Sequence, residues 1–310
     1  MKNKITAVAL SVLMIFLCGC SAYTPPQKSD KLSIVCSIFA PYDFARQIAG
    51  DRAEIKMLLP TGVESHSYEP TPRDIIELQN ADVFFYVSEH TETWVTQIID
   101  SVSASEVNIT ELAVELGLEI NGHEHEHHHD EHEEGETDEH IWTNLETASD
   151  MVGCMAEKMG ELDPENADYY NDNAVAYSEK ILALRDDIQE LVNSSKRREI
   201  VSGSRFAMKN FTHEFGMEFT AAFDSCVDNT EPSASVMAEI IDKIQTDNIP
   251  VIFYEELTEP KIARAVSAET GAEMLLLHSC HNISSDELKR GETYLSLMRQ
   301  NYNNLKEALN

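Results

Sequence analysis

Apolar residues along this chain fall into two kinds of run. Leu32 to Ile38, Ile55 to Leu59 and Val83 to Val87 are short and mostly apolar or β-branched, the pattern of strands buried on both faces. Each leads into an amphipathic or turn-containing stretch, the alternation that builds a parallel α/β lobe. The same alternation restarts with Glu199 to Ser202, Phe219 to Phe223, Val251 to Tyr254 and Met274 to Leu277, which predicts a second lobe. Between the two sets, Tyr170, Ala174, Tyr177, Ile181, Leu184, Ile188 and Leu191 recur at alternating spacings of four and three behind Asp163-Pro164, a pair suited to opening a helix. A helix with that stripe buries one face of a rod which, at about 1.5 Å per residue, is roughly 40 Å long. The predicted fold class is therefore α/β, with two parallel-sheet lobes joined by one long rigid helix. Because the stripe lasts only about four heptads and has mixed flanks, it predicts packing within one chain rather than a coiled-coil dimer, and a monomer is expected.

The chain begins differently. Lys2 and Lys4 precede the apolar run Ile5 to Leu17, which is too short to span a bilayer and reads as a signal peptide over residues 1–19. Its end, Leu17-Cys18-Gly19-Cys20, resembles a bacterial lipobox, so Cys20 is expected to become the lipidated N-terminus. Residues 20–30 then form a tether to the membrane, held by about 0.8 kcal/mol per buried CH₂ of the acyl chains. The remaining domains are an N-terminal lobe over 31–162, a linking helix over 163–193 and a C-terminal lobe over 194–310. An extracytoplasmic location permits disulfides. Cys36, Cys154, Cys226 and Cys280 remain after processing, and Cys226 with Cys280 is the preferred pair, set against a reading of these residues as small buried apolar side chains.

Composition changes this picture in two places. A formal net charge of -32, with 23 Lys and Arg against 55 Asp and Glu, excludes a nucleic-acid partner, which needs clustered basic residues. In Asn121 to His140 sixteen of twenty residues are His, Asp or Glu and none is Lys or Arg, so the stretch cannot build a core and is predicted to be a loop over 121–139. Its His123, His125, His127, His128, His129 and His132 carry the natural ligand groups for zinc and similar ions, an auxiliary and reversible binding tract. The string His125-Glu126-His127-His128-His129 also satisfies a metalloprotease pattern, but that pattern works only on a rigid helix face, and the tract has no apolar side to fix one.

Two further histidines stand in ordered surroundings. His66 follows a predicted strand through the turn Pro60-Thr61-Gly62, and His140 leads into Ile141-Trp142, both near the crevice where α/β sheets place ligands. The run Leu59-Pro60-Thr61-Gly62-Val63-Glu64-Ser65-His66-Ser67-Tyr68-Glu69-Pro70-Thr71-Pro72-Arg73-Asp74 resembles the hallmark of the zinc and manganese solute-binding proteins of ABC importers. Asp138-Glu139-His140-Ile141-Trp142 resembles their second metal-ligand motif, and a His-rich loop just before it is typical of zinc-specific members. The resemblance implies two lobes with one ion between them, held by side chains from each, and it assigns His66 and His140 as ligands.

In the second lobe the resemblance breaks. The third ligand position falls on Gly203, which has no side chain to offer. The fourth corresponds to His278, which the resemblance therefore makes the compensating ligand, with His281 as a further candidate or a loop histidine bonded to backbone. Three imidazoles would suit Zn²⁺ as the transported ligand better than the alternative, Mn²⁺. Glu255 and Glu256 are expected to hold a ligand histidine in one tautomer, and Arg205 to pair with Glu255, Glu256 or Asp224. His90 and His213 read as surface residues. The function expected is metal capture without chemistry and delivery to an ABC transporter membrane permease. A zinc hydrolase would need an open metal position beside a placed base, such as Glu64 or Glu255, and an adhesin has only the naming of such proteins behind it.

Overall fold

A computed structural model describes residues 31–120, 138–223 and 232–310. The first lobe runs β1 (Leu32–Cys36), α1 (Phe39–Ala49), β2 (Ala53–Met57), α2 (Pro72–Gln79), β3 (Val83–Tyr86), α3 (Val95–Val102), β4 (Asn108–Glu111) and the short α4 (Leu112–Glu115). Two long helices follow, α5 (Leu145–Leu162) and α6 (Ala167–Ser194). The second lobe runs β5 (Glu199–Ser202), α7 (Lys209–Glu214), β6 (Glu218–Ala221), α8 (Ala234–Asp247), β7 (Val251–Tyr254), α9 (Lys261–Thr270), β8 (Glu273–Leu276), α10 (Ser285–Arg290) and α11 (Tyr294–Leu309).

Both sheets are wholly parallel and share one topology, β2-β1-β3-β4 and β6-β5-β7-β8. In each, the strand order reverses beside the first strand, and the crevice that opens beyond the carboxyl ends there is where a doubly wound sheet accommodates a ligand. The apolar runs predict seven of the eight strands. β4 escapes because Asn108-Ile109-Thr110-Glu111 holds a single apolar residue and so forms no apolar run.

The stripe on α6 is buried at every predicted position, and 28 residues give a rod of about 42 Å. Pro164–Asn166 opens it as a 3₁₀ turn, and the Tyr170 hydroxyl ties back to Asp163 at 2.7 Å. Helix α5 packs along α6 through Met151, Met155 and Met159, all fully buried. One continuous apolar core runs from Ile34 of β1 through Phe44 of α1, Tyr177 and Ile188 of α6 and Tyr294 of α11 to Phe253 of β7. The lobes are consequently not separate bodies on a flexible tether but two sheets fixed to a shared helical layer. At its centre the buried Asp43 carboxylate accepts hydrogen bonds from the Tyr177 hydroxyl (3.1 Å) and the Tyr294 backbone N–H (2.9 Å).

The targeting segment, Cys20, the tether, the six tract histidines, Asp224 and Cys226 lie outside the described residues. Cys280 is a free thiol, fully buried in the central core, so the preferred pairing with Cys226 is not made; Cys36 and Cys154 are also free. No helix among the described residues is long and apolar enough to cross a membrane.

A second buried carboxylate holds the crevice end of the first sheet. Glu92 is fully buried, accepts the Ser37 hydroxyl just beyond β1, and accepts the backbone N–H groups of Val87 (3.1 Å) and Ser88 (3.0 Å) just beyond β3. Burial raises its carboxyl from 4.5 to about 7. A folded-state value above the unfolded one means stability is fully present below pH 4.5 and is lost as pH rises towards 7. Glu92→Gln keeps an oxygen for the two N–H groups and removes the titration. Its stability relative to the native chain is expected to rise by about 3 kcal/mol between those limits, as measured by denaturant unfolding across pH; a pH-independent difference would contradict the assignment.

Candidate metal centre

Three loops converge where the two crevices face each other. The first leaves β2, turns at Pro60-Thr61-Gly62 with Gly62 at φ +79, and delivers His66. Its conformation is set locally: the Glu64 carboxylate accepts the N–H groups of His66 (3.2 Å) and Ser67 (3.1 Å). The hallmark run then becomes a helix start, with Pro72 in the first turn of α2 and Asp74 accepting from both the Thr71 N–H (2.7 Å) and the Tyr68 hydroxyl (2.8 Å).

The second loop carries His140, which is fully buried. Asp138 accepts both its backbone N–H (3.0 Å) and its Nδ1–H (2.8 Å). That fixes the tautomer and leaves the lone pair on Nε2, the arrangement typical of a metal-ligating imidazole. Burial acts to raise the Asp138 carboxyl, but the hydrogen bonds from His140 outweigh it and hold the group below its ordinary value.

The third loop follows β8 and carries His281. Its ring centroid lies 5.2 Å from that of His66 and 5.4 Å from that of His140, while the latter two are 6.2 Å apart. One ligand atom from each of His66, His140 and His281 lies within 4.8 Å of the others. Two ligands about 2.0–2.1 Å from a tetrahedral zinc stand roughly 3.4 Å apart, so a contraction of at most about 1.4 Å closes the trio on an ion. Burial, reinforced by the neighbouring imidazoles, lowers the His281 pKa well below its usual value and that of His66 to a lesser degree. Both rings are thereby kept neutral near pH 7, the form that binds metal.

The chain between the lobes is stitched directly around this point. Ser65 Oγ lies 2.6 Å from His281 Nε2, and the Phe39 N–H donates to the His281 carbonyl at 3.1 Å. Asn282 donates to the carbonyls of Pro60 (2.9 Å) and Val63 (2.6 Å). Trp142 Nε1–H reaches the Ser279 carbonyl at 2.8 Å, and the Tyr294 hydroxyl closes on the Trp142 carbonyl at 2.6 Å.

His278 is not part of the trio. It is fully buried, its Nδ1 accepts the Cys280 N–H (2.9 Å), and Asn301 brackets its backbone on both sides at 2.8 Å. Strand β8 ends at Leu276, and Cys280 at φ +59 turns the chain, so the histidine three residues further on is the one that reaches the other two. Gly203 is closed to any ligand: a Cβ there would stand 2.7 Å from the backbone N and Cα of Ala263, because α9 packs directly on the end of β5.

Glu256 holds the His281 loop, and its Oε1 also lies 3.5 Å from Nδ1 of His278. It accepts the Ser279 N–H (2.9 Å) and hydroxyl (2.6 Å), and Ser279 Oγ in turn accepts the His281 N–H (3.2 Å). Among the described residues, Arg205 Nη1 lies 3.8 Å from Glu64 Oε1 of the other lobe. Glu64, His66, Arg205, Glu255, His281 and Asn282 line an open cleft of about 440 Å³. Burial, then the adjacent Glu256, pushes the Glu255 carboxyl up to about 8. His90 and His213 are exposed, as expected. Asp138 and Ser65 were missed as supporting residues; Asp138 two positions before His140 has the spacing by which an aspartate bonds the backbone two residues on, whereas nothing local marks Ser65.

The family model described as zinc-uptake complex component A periplasmic, ZnuA, matches residues 34–308. The chain belongs to this family. It is 31% identical over 307 residues to the high-affinity zinc uptake system protein ZnuA of Bacillus subtilis, covering 97% of this chain and 96% of that relative. Identity to the zinc-binding lipoprotein AdcA of Streptococcus pneumoniae is 30% over 309 residues, 99% of this chain but 61% of AdcA, so the chain spans about three fifths of that protein's length. The crystal structure of the Zn(II)-bound ZnuA-like domain of the same AdcA is similar at a TM-score of 0.73 and 27% identity, covering 90% of this chain and 99% of that one.

The close approach at Gly203 makes a direct prediction. Gly203→Ala is expected to lower stability by roughly 1–3 kcal/mol in thermal or denaturant unfolding, the usual cost of overpacking a dense interior. An unchanged midpoint would show that α9 can move away and that the position is open to a larger side chain.

Proposed function

We propose that the chain is an extracytoplasmic, lipid-anchored zinc-binding protein that delivers the ion to the membrane permease of an ABC importer. The observation that carries this reading is the meeting of His66, His140 and His281 from three separate loops within 4.8 Å. Nitrogen-rich sets of this kind favour zinc, whereas manganese prefers carboxylate, carbonyl and water oxygens. The three imidazoles are the ligands, with zinc as cargo. Asp138 orients His140, Ser65 engages His281 at Nε2, and burial keeps protons from competing with the ion.

Delivery follows from the scaffold. Since both sheets are fixed to one helical layer, wide hinge closure is disfavoured, and small shifts of the three loops are enough to open the trio. Docking on a permease supplies the energy for those shifts, and Cys20 keeps the protein at the membrane where the permease lies. The tract His123 to His132 gathers or buffers ions outside the tight site. A surface of strong negative charge raises the local concentration of cations.

Deleting residues 122–136 removes the tract and leaves Asp138 in place. This variant is expected to retain one tight zinc per chain, measured by metal analysis after dialysis and by chelator competition. Replacing His66, His140 or His281 with Ala in that background weakens zinc by at least on the order of 100-fold, since even a supporting residue commonly costs 10- to 100-fold. His278→Ala lowers thermal stability but keeps one tight zinc. Equal loss from His278→Ala, or full retention after His281→Ala, would contradict the trio.

A further inference from the structure

Three imidazoles leave a tetrahedral zinc one ligand short. The position at Gly203 is closed by Ala263, so the fourth group must come from elsewhere. One carboxylate stands beside His140 in an unusual state, just outside the 4.8 Å within which the three imidazole atoms meet. Glu139 is the residue immediately before His140, its side chain is 13% exposed, and its Oε1 is buried with no hydrogen-bond partner among the described residues. That oxygen lies 3.9 Å from Nε2 of His140, the nitrogen whose lone pair the Asp138 hydrogen bond leaves for an ion.

The placement is not an accident of a loose side chain. The Glu139 carbonyl accepts the Thr91 hydroxyl at 3.0 Å, and Asn210 Nδ2 donates to the preceding Asp138 carbonyl at 2.8 Å, so the backbone is pinned on both sides. A buried carboxylate oxygen without a donor is costly, and here the negative charge also faces the buried Glu92. A divalent cation between Glu139 and the imidazoles relieves both. Adjacent ligand atoms on a tetrahedral zinc are roughly 3.4 Å apart, so a side-chain rotation that closes about half an ångström at His140 and swings the carboxylate towards the trio completes the set.

We propose that Glu139 is the fourth ligand of this site, giving three imidazole nitrogens and one carboxylate oxygen, with the N-terminal lobe supplying three of the four. The proposal rests on the reading of His66, His140 and His281 as the zinc site. Glu255 is the rival donor, because it lines the same cleft, but it has the Arg205 cation near it, which opposes an ion at its carboxylate.

The test uses the full mature chain and its Glu139→Gln and Glu255→Gln variants, with zinc affinity at the tight site read by chelator competition and ligand type by the absorption spectrum of the cobalt(II) form. Glu139→Gln is expected to weaken zinc on the order of 100-fold, to alter the cobalt bands and to leave the metal-free protein at least as stable as the native chain, while Glu255→Gln leaves affinity and spectrum unchanged. Native affinity and spectrum in Glu139→Gln, or the loss appearing in Glu255→Gln instead, would overturn the assignment. Absence of any tight zinc in the native chain would overturn the tri-histidine reading itself, and Glu139 with it.

Discussion

The site depends on keeping three imidazole rings packed against one another where the two lobes meet. Isolated in water these rings would be partly protonated and would repel each other. Here burial and mutual proximity suppress protonation of His66 and His281, and Asp138 takes the one N–H that His140 must donate. Each ring comes from a different loop, so the cluster exists only while the two sheets hold their carboxyl ends face to face.

That requirement explains the helical layer. A flexible hinge would let the three loops drift apart, and the cluster would be lost. Instead α1, α5, α6 and α11 share one core with both sheets, and the Asp43 carboxylate joins α1, α6 and α11 at its centre. Closer to the site, Trp142, Ser279, Tyr294 and Asn282 exchange hydrogen bonds across the lobes with the loops that carry His140 and His281. Stiffness of this kind favours capture by a nearly complete site over enclosure by moving domains, and it leaves release to be driven from outside.

Much of this was legible in the residue pattern. The central strands β1, β3, β5 and β7 are largely buried and announce themselves as apolar runs, and the stripe from Tyr170 to Leu191 marked α6 at each of its seven positions. β4 and α5 were not singled out, the first because Asn108-Ile109-Thr110-Glu111 holds a single apolar residue, the second because its methionines and alanines are spread among charged residues, although Asn144 caps its start by accepting the Thr147 N–H. At the site, His66 and His140 were readable because each sits in a motif with local structure, a carboxylate-held turn in one case and Asp138 in the other. The choice between His278 and His281 was not readable in the same way. It turns on where β8 ends and on the left-handed turn at Cys280, and a shift of one residue in a strand end redirects every side chain after it. Gly203 announced a missing ligand, but the helix that fills its place is 60 residues away in sequence.

The central claim concerns which groups surround the ion, and zinc-edge X-ray absorption on the one-to-one complex of the tract-deleted protein reads that most directly. The account predicts a four-coordinate zinc with three imidazole ligands at about 2.0–2.1 Å and the remaining position filled by oxygen. A first shell dominated by oxygen, or one with fewer than three imidazoles, would contradict it.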